Sequence, residues 1–136
     1  MTLSGALYQT KVVNRDGIEG KTYVDEKEGF EVAVSSPMSE RKGTNPEQLL
    51  GMALATCLKA TIEAEETRRK IDHLSQVSVK VELREDTLGY QFVLETEISM
   101  PHLSKQEAGS ILEVALRRCP MHKLLKGNAT YQVHLI

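Results

Sequence analysis

From Asn45 to about Lys70 the sequence reads as one long helix whose first half has no polar face. Asn45 can cap, Pro46 suits the first helical position, and Glu47 suits the positive end of the helix dipole. Leu49, Leu50, Met52, Ala53, Leu54, Ala55, Cys57 and Leu58 then follow with little interruption. A helix that is apolar all round is buried on all sides. In a chain of 136 residues, that implies a central helix wrapped by a sheet, by other helices or by a second subunit. From Glu63 onward the helix becomes charged, and the run Arg68-Arg69-Lys70 beside Glu63, Glu65 and Glu66 reads as a solvated helix end.

The flanking segments supply strands. Leu7–Val13 alternates loosely ahead of the turn Asn14-Arg15-Asp16-Gly17, Lys21–Val24 forms a second strand, and Phe30–Val34 alternates as a half-buried third. Residues 35–44 form a loop. After the long helix, Val77–Leu83 and Tyr90–Ile98 alternate on either side of a turn at 86–89 and read as a hairpin. Ser104 and Glu107 have the spacing of a capping box, opening a helix with Ile111, Leu112, Ala115 and Leu116 on its apolar side. Cys119-Pro120 ends it, a short helix runs through Leu125, and Ala129–Leu135 is a last strand. The order predicts an α+β fold, with mostly antiparallel sheets around the long helix, in a single domain over residues 1–136.

Composition narrows the function. The formal net charge is -2, and no basic face points to nucleic acid. The apolar run at 49–58 is too short to span a bilayer, and no signal peptide is visible, so the sequence predicts a cytoplasmic protein without a membrane partner. In a reducing compartment a cysteine pair is more often redox-active, metal-binding or inert than a permanent disulfide.

Both cysteines have two readings. Cys57, deep in the apolar half of the helix, is either a small buried hydrophobe or a nucleophile. Cys119 precedes Pro120 and so sits at a helix N-cap, where free N–H groups and the helix dipole stabilise a thiolate; otherwise it is an atypical cap residue. Cys119-Pro-Met-His122 has half the spacing of a zinc site, but no second ligand pair exists, so neither a metal nor a cofactor is expected. His73, His102 and His134 read as ordinary surface or strand residues, and Met38, Met52, Met100 and Met121 as core or gap fillers.

Gly43-Thr44-Asn45-Pro46-Glu47-Gln48-Leu49-Leu50, followed by Ala55-Thr56-Cys57, resembles the signature of the OsmC/Ohr family of organic hydroperoxide reductases. Cys119-Pro120 before the last strand and the Arg15-Asp16-Gly17 turn match further elements in the same order. The resemblance implies a thiol peroxidase. Cys57 would attack the peroxide and become a sulfenic acid, and Cys119 would resolve it as a disulfide. Arg15 would activate the Cys57 thiolate and steady charge on the peroxide oxygen, held by Glu47 in a two-point pair. The implied partners are an organic or fatty-acid hydroperoxide and a lipoyl-type dithiol reductant. Arg41 is a fallback for Arg15. The chain departs from the family pattern at Leu58, where an aromatic residue is common, and at Met121 and His122, where a tyrosine and a serine are typical.

Ten residues of helix rise about 15 Å. Glu47 and Cys57 of one straight helix therefore cannot meet at one peroxide, which predicts an obligate homodimer with composite sites. The rival class is a non-enzymatic or sensor-type member that binds a small apolar or thiol ligand. The joint presence of Arg15, Glu47, Cys57 and Cys119 favours the enzyme.

Overall fold

A computed structural model describes residues 5–136 and divides into two compact units, one up to Pro46 and one over Glu47–Ile136. The first unit is a three-stranded antiparallel sheet in the order β1-β2-β3: β1 (Val12–Asn14), β2 (Gly20–Val24) and β3 (Glu31–Val34). β1 is shorter than the alternation predicted, because Leu7 and Tyr8 are exposed and outside any ladder. The turn after β1 closes on itself. Gly17 N–H donates to Asn14 Oδ1 at 2.7 Å, with Gly17 at φ +79°, a region open mainly to glycine. At Gly20 a Cβ would lie 2.3 Å from Asp16 Cβ, so any side chain there would collide with the turn.

The second unit holds α1 (Pro46–Arg68), β4 (Gln76–Glu85), β5 (Tyr90–Ser99), α2 (Lys105–Arg118), α3 (Pro120–Leu125) and β6 (Tyr131–Leu135). β4 and β5 form the predicted antiparallel hairpin. β6 pairs with β5 in parallel, with Leu94 opposite Tyr131 and Ile98 opposite Leu135. A parallel neighbour needs a crossover, and α2 and α3 provide it. Ser104 caps α2 as expected, its Oγ accepting from Glu107 N–H at 3.1 Å.

The core of this unit lies where α1, α2 and β5 meet: Leu58 and Ile62, Ile111 and Ala115, and Ile98 are fully buried. Leu54, Leu58 and Ile62 recur every four residues, so they form one stripe down α1. The all-round burial expected of the helix is not supplied by this chain: Met52 is 59% exposed, and Ala53 and Ala60 are also exposed.

The far end of α1 corrects a second expectation. It is solvated only in part: Thr67, Arg68 and Lys70 are exposed, whereas Glu65 and Glu66 are buried, Glu66 completely. Glu65 accepts from Arg68 Nε at 3.0 Å and from Arg69 Nε at 2.7 Å, and Arg69 Nη1 continues to Ser110 Oγ on α2 at 3.1 Å. Glu66 Oε2 accepts from Ser75 Oγ at 2.6 Å and faces His102 Nε2 at 3.3 Å. The two guanidinium groups pair the buried Glu65 carboxylate, which is what makes its burial tolerable. His102, expected to be an ordinary surface residue, belongs to this cluster.

Candidate functional site

Cys57 lies mid-helix in α1, half-buried, one position before the core residue Leu58. Its carbonyl accepts both within the helix and from Thr61 Oγ1 at 2.9 Å. Cys119 sits at the junction of α2 and α3 and is fully buried. Its N–H donates to Ala115 O at 2.8 Å, finishing α2, and Pro120 then opens α3. Because this junction packs against α1, the two free sulfurs stand 3.8 Å apart, although 62 residues separate them in the chain.

Cys119 is the N-cap of α3, as the sequence predicts: its Sγ accepts from His122 N–H at 3.5 Å. The electrostatic consequence is the reverse of the expected one. Burial pushes the Cys119 thiol up; the His122 N–H opposes this, the neighbouring Cys57 thiol adds to it, and the Met121 N–H opposes it least, so the net direction is upward. A long N–H···S contact at a six-residue helix does not outweigh complete loss of water.

Around Cys119 lies a pair of side chains that sequence patterning does not single out. His122 Nδ1 and the Tyr131 hydroxyl are 2.7 Å apart, and their rings are tilted at 53° with centroids 5.5 Å apart. Burial, then the charge of Lys126, lowers the His122 pKa. Burial, then Cys119, pushes Tyr131 up to about 12. The only sequence clue was the three-residue spacing from Cys119 to His122, read there as a fragment of a metal site.

Cys57 opens on a cleft of about 480 Å³ between α1 and α2. Ala60, Thr61, Ala64, Val114, Ala115 and Pro120 give it small, mostly apolar walls, with Glu65 and Arg118 also lining it. Glu47 belongs to a different cleft, with Gly51, Met52 and Val81. The second unit thus brings Cys57 and Cys119 together and keeps Glu47 nearly three turns away along the same helix. Arg15 lies in the first unit, exposed in the turn after β1. The fallback Arg41, in the same unit, stands 3.8 Å from the Glu19 carboxylate. Among the described residues, no three His, Cys, Asp or Glu side chains converge as metal ligands, and no helix is long and apolar enough to cross a membrane.

A family profile described as OsmC-like protein matches residues 39–134, which include α1, both cysteines and all but the last residue of the second sheet. The chain belongs to the OsmC-like family. Among the relatives of this OsmC-like protein, one from Staphylococcus aureus (strain MSSA476), named organic hydroperoxide resistance protein-like, is 28% identical over 133 residues, covering 94% of each chain. The crystal structure of a candidate redox protein from Lactobacillus casei ATCC 334 superposes with a TM-score of 0.90 at 36% identity, covering 98% of this chain and 93% of that one. The organic hydroperoxide resistance protein OhrB of Bacillus subtilis superposes with a TM-score of 0.82 at 26% identity, over 96% and 100% of the two chains. The α+β fold is therefore that of the OsmC/Ohr proteins, a family associated with organic hydroperoxide resistance and redox chemistry.

Proposed function

We propose that this chain is a thiol peroxidase that reduces organic hydroperoxides to alcohols. The observation that carries the reading is the 3.8 Å approach of two free cysteine sulfurs, one of them facing an apolar cleft. In the first step the Cys57 thiolate attacks the terminal peroxide oxygen. An S–O bond forms, the O–O bond breaks, and the alkoxide leaves as an alcohol after taking a proton; Cys57 is left as a sulfenic acid. In the second step the Cys119 sulfur attacks the Cys57 sulfur. The S–S bond forms, the S–O bond breaks, and hydroxide departs as water with the proton that Cys119 gives up.

The roles follow from exposure. Cys57 is the half-buried thiol that a substrate can approach, whereas Cys119 is fully buried and held as a thiol by that burial. Closing the disulfide brings sulfurs from 3.8 Å to about 2 Å, a small movement at a helix junction. An external dithiol of the lipoyl type then reduces the disulfide by exchange, restoring both thiols.

Arg15 and Glu47 complete the proposed site from a second copy of the chain. The guanidinium, held by the carboxylate, would favour the Cys57 thiolate and the charge growing on the departing oxygen. Two features support an obligate homodimer: Glu47 and Cys57 are ten positions apart on one unbroken helix, and that helix leaves Met52 and Ala53 uncovered. The setting proposed is the cytoplasm, where a reducing pool keeps the pair open between turnovers.

Steady-state reduction with a small dithiol, comparing cumene hydroperoxide with hydrogen peroxide, tests the substrate class. The small apolar walls of the cleft predict a higher kcat/KM for the organic peroxide. Equal or reversed values would contradict the assignment.

A further inference from the structure

We propose that His122 and Tyr131 form a positioning pair for Cys119, and that their side-chain bond sets how fast the Cys57–Cys119 disulfide closes. The physiological step rests on the peroxidase reading above; the test does not depend on it alone.

Cys57 belongs to the middle of a 23-residue helix, whereas Cys119 stands at a break between two helices. The sulfur movement needed for closure therefore falls on the Cys119 side. α3 is poorly equipped to hold that junction in place: it has six residues and none of its side chains is fully buried. Among the described residues, the bond of 2.7 Å from His122 Nδ1 to the Tyr131 hydroxyl is the one side-chain hydrogen bond joining α3 to β6. Tyr131 in turn is fixed by β6, which pairs with the central strand β5 opposite Leu94. The residue so anchored is also the one whose backbone N–H faces Cys119 Sγ at 3.5 Å. A tether on the His122 ring thus fixes the first turn of α3, and through it the place of the sulfur.

The chemistry of the tether suits a permanent anchor. Burial lowers the imidazole's pKa and keeps the phenol protonated up to about 12, so both shifts favour a bond between uncharged partners. The groups that act on the pair electrostatically are Lys126 at the end of α3, on His122, and the Cys119 thiol, on Tyr131.

The test separates the two chemical steps in Tyr131→Phe, His122→Ala and His122→Gln. Tyr131→Phe removes one hydroxyl and keeps the ring. Sulfenic acid on Cys57 is measured by dimedone trapping after one equivalent of cumene hydroperoxide, and disulfide closure by loss of the second thiol. Closure is measured independently with diamide, which couples the two thiols without a peroxide. The expected result is sulfenic acid formed at the wild-type rate, with closure slowed about 10-fold or more in Tyr131→Phe and His122→Ala, within the range that sub-ångström to ångström misplacement of reacting groups costs. His122→Gln, which again offers the phenol a partner, recovers part of the loss. Wild-type closure rates with both oxidants in Tyr131→Phe and His122→Ala would overturn the proposal. If peroxide oxidises nothing while diamide closure still slows in the variants, the peroxidase reading fails and the positioning pair stands.

Discussion

At Glu65 a carboxylate sits within hydrogen-bonding reach of two guanidinium groups, from Arg68 and Arg69, and its pKa falls from 4.5 to about 2. The hydrogen bonds to Arg68 and Arg69 dominate that fall, and burial opposes it. The sign of the linkage is fixed by the depression. Above about pH 4.5 the carboxylate is ionised in folded and unfolded chains alike, and its full contribution is present. As the pH falls from there towards about 2, the unfolded chain takes up the proton first, and the contribution is lost. Glu65→Gln is therefore expected to flatten the loss of stability between pH 4.5 and about 2, read as a smaller shift in urea midpoint between pH 6 and pH 3 than in the wild type. An equal shift would show that the pair contributes nothing. None of this cluster was legible as buried, because two glutamates and two arginines in five positions are the pattern of a solvated helix face. What overrides it lies outside the helix: Ser110 bonds Arg69, Ser75 bonds Glu66, and His102 comes within 3.3 Å of Glu66. The same limit applies at Cys119. Its capping position could be read from the following proline, but the burial that reverses its effect on the thiol could not.

Among the elements, the ends of α1 contrast. Its start was legible because Pro46 leaves a strong local signal, and the helix does begin there. Its end is set by backbone geometry that no residue type announces. Lys70 adopts φ +61°, Lys70 N–H donates to Thr67 O at 3.1 Å, and Ile71 N–H donates to Glu66 O at 2.9 Å. Those two bonds are the Schellman pattern, with a lysine in the left-handed position that usually holds glycine. A lysine there costs roughly 1–2 kcal/mol of backbone strain, and glycine returns part of that as extra freedom in the unfolded chain. Lys70→Gly is expected to raise stability by about 0.5–1 kcal/mol, seen as a higher thermal midpoint. A lower midpoint would mean that the lysine side chain contributes more than its backbone costs. The sheet shows a similar division. The β4–β5 hairpin was readable from alternation around the turn at 86–89. The parallel placement of β6 was not, because strand alternation carries no direction and the crossover through α2 and α3 is decided by packing.

For the whole molecule, the apolar run that opens α1 is the feature that one chain leaves incomplete. Its buried stripe is matched by α2 and β5, while Met52 and Ala53 remain at the surface. In the proposed dimer a second copy covers them and supplies the arginine and glutamate to Cys57. Light scattering at micromolar concentration is expected to give twice the chain mass, and Ala53→Glu, which places a charge on that face, is expected to give one chain mass with loss of turnover. A wild-type monomer that still reduces peroxide would remove the need for composite sites.

The central claim is that Cys57 and Cys119 act as one redox unit on organic peroxides. Counting free thiols in the reduced protein, before and after a small excess of cumene hydroperoxide, tests it most directly. The account predicts loss of two thiols per chain in the wild type, none in Cys57→Ser, and in Cys119→Ser loss of the single remaining thiol as a sulfenic acid that dimedone captures. Retention of both thiols in the wild-type protein would contradict it.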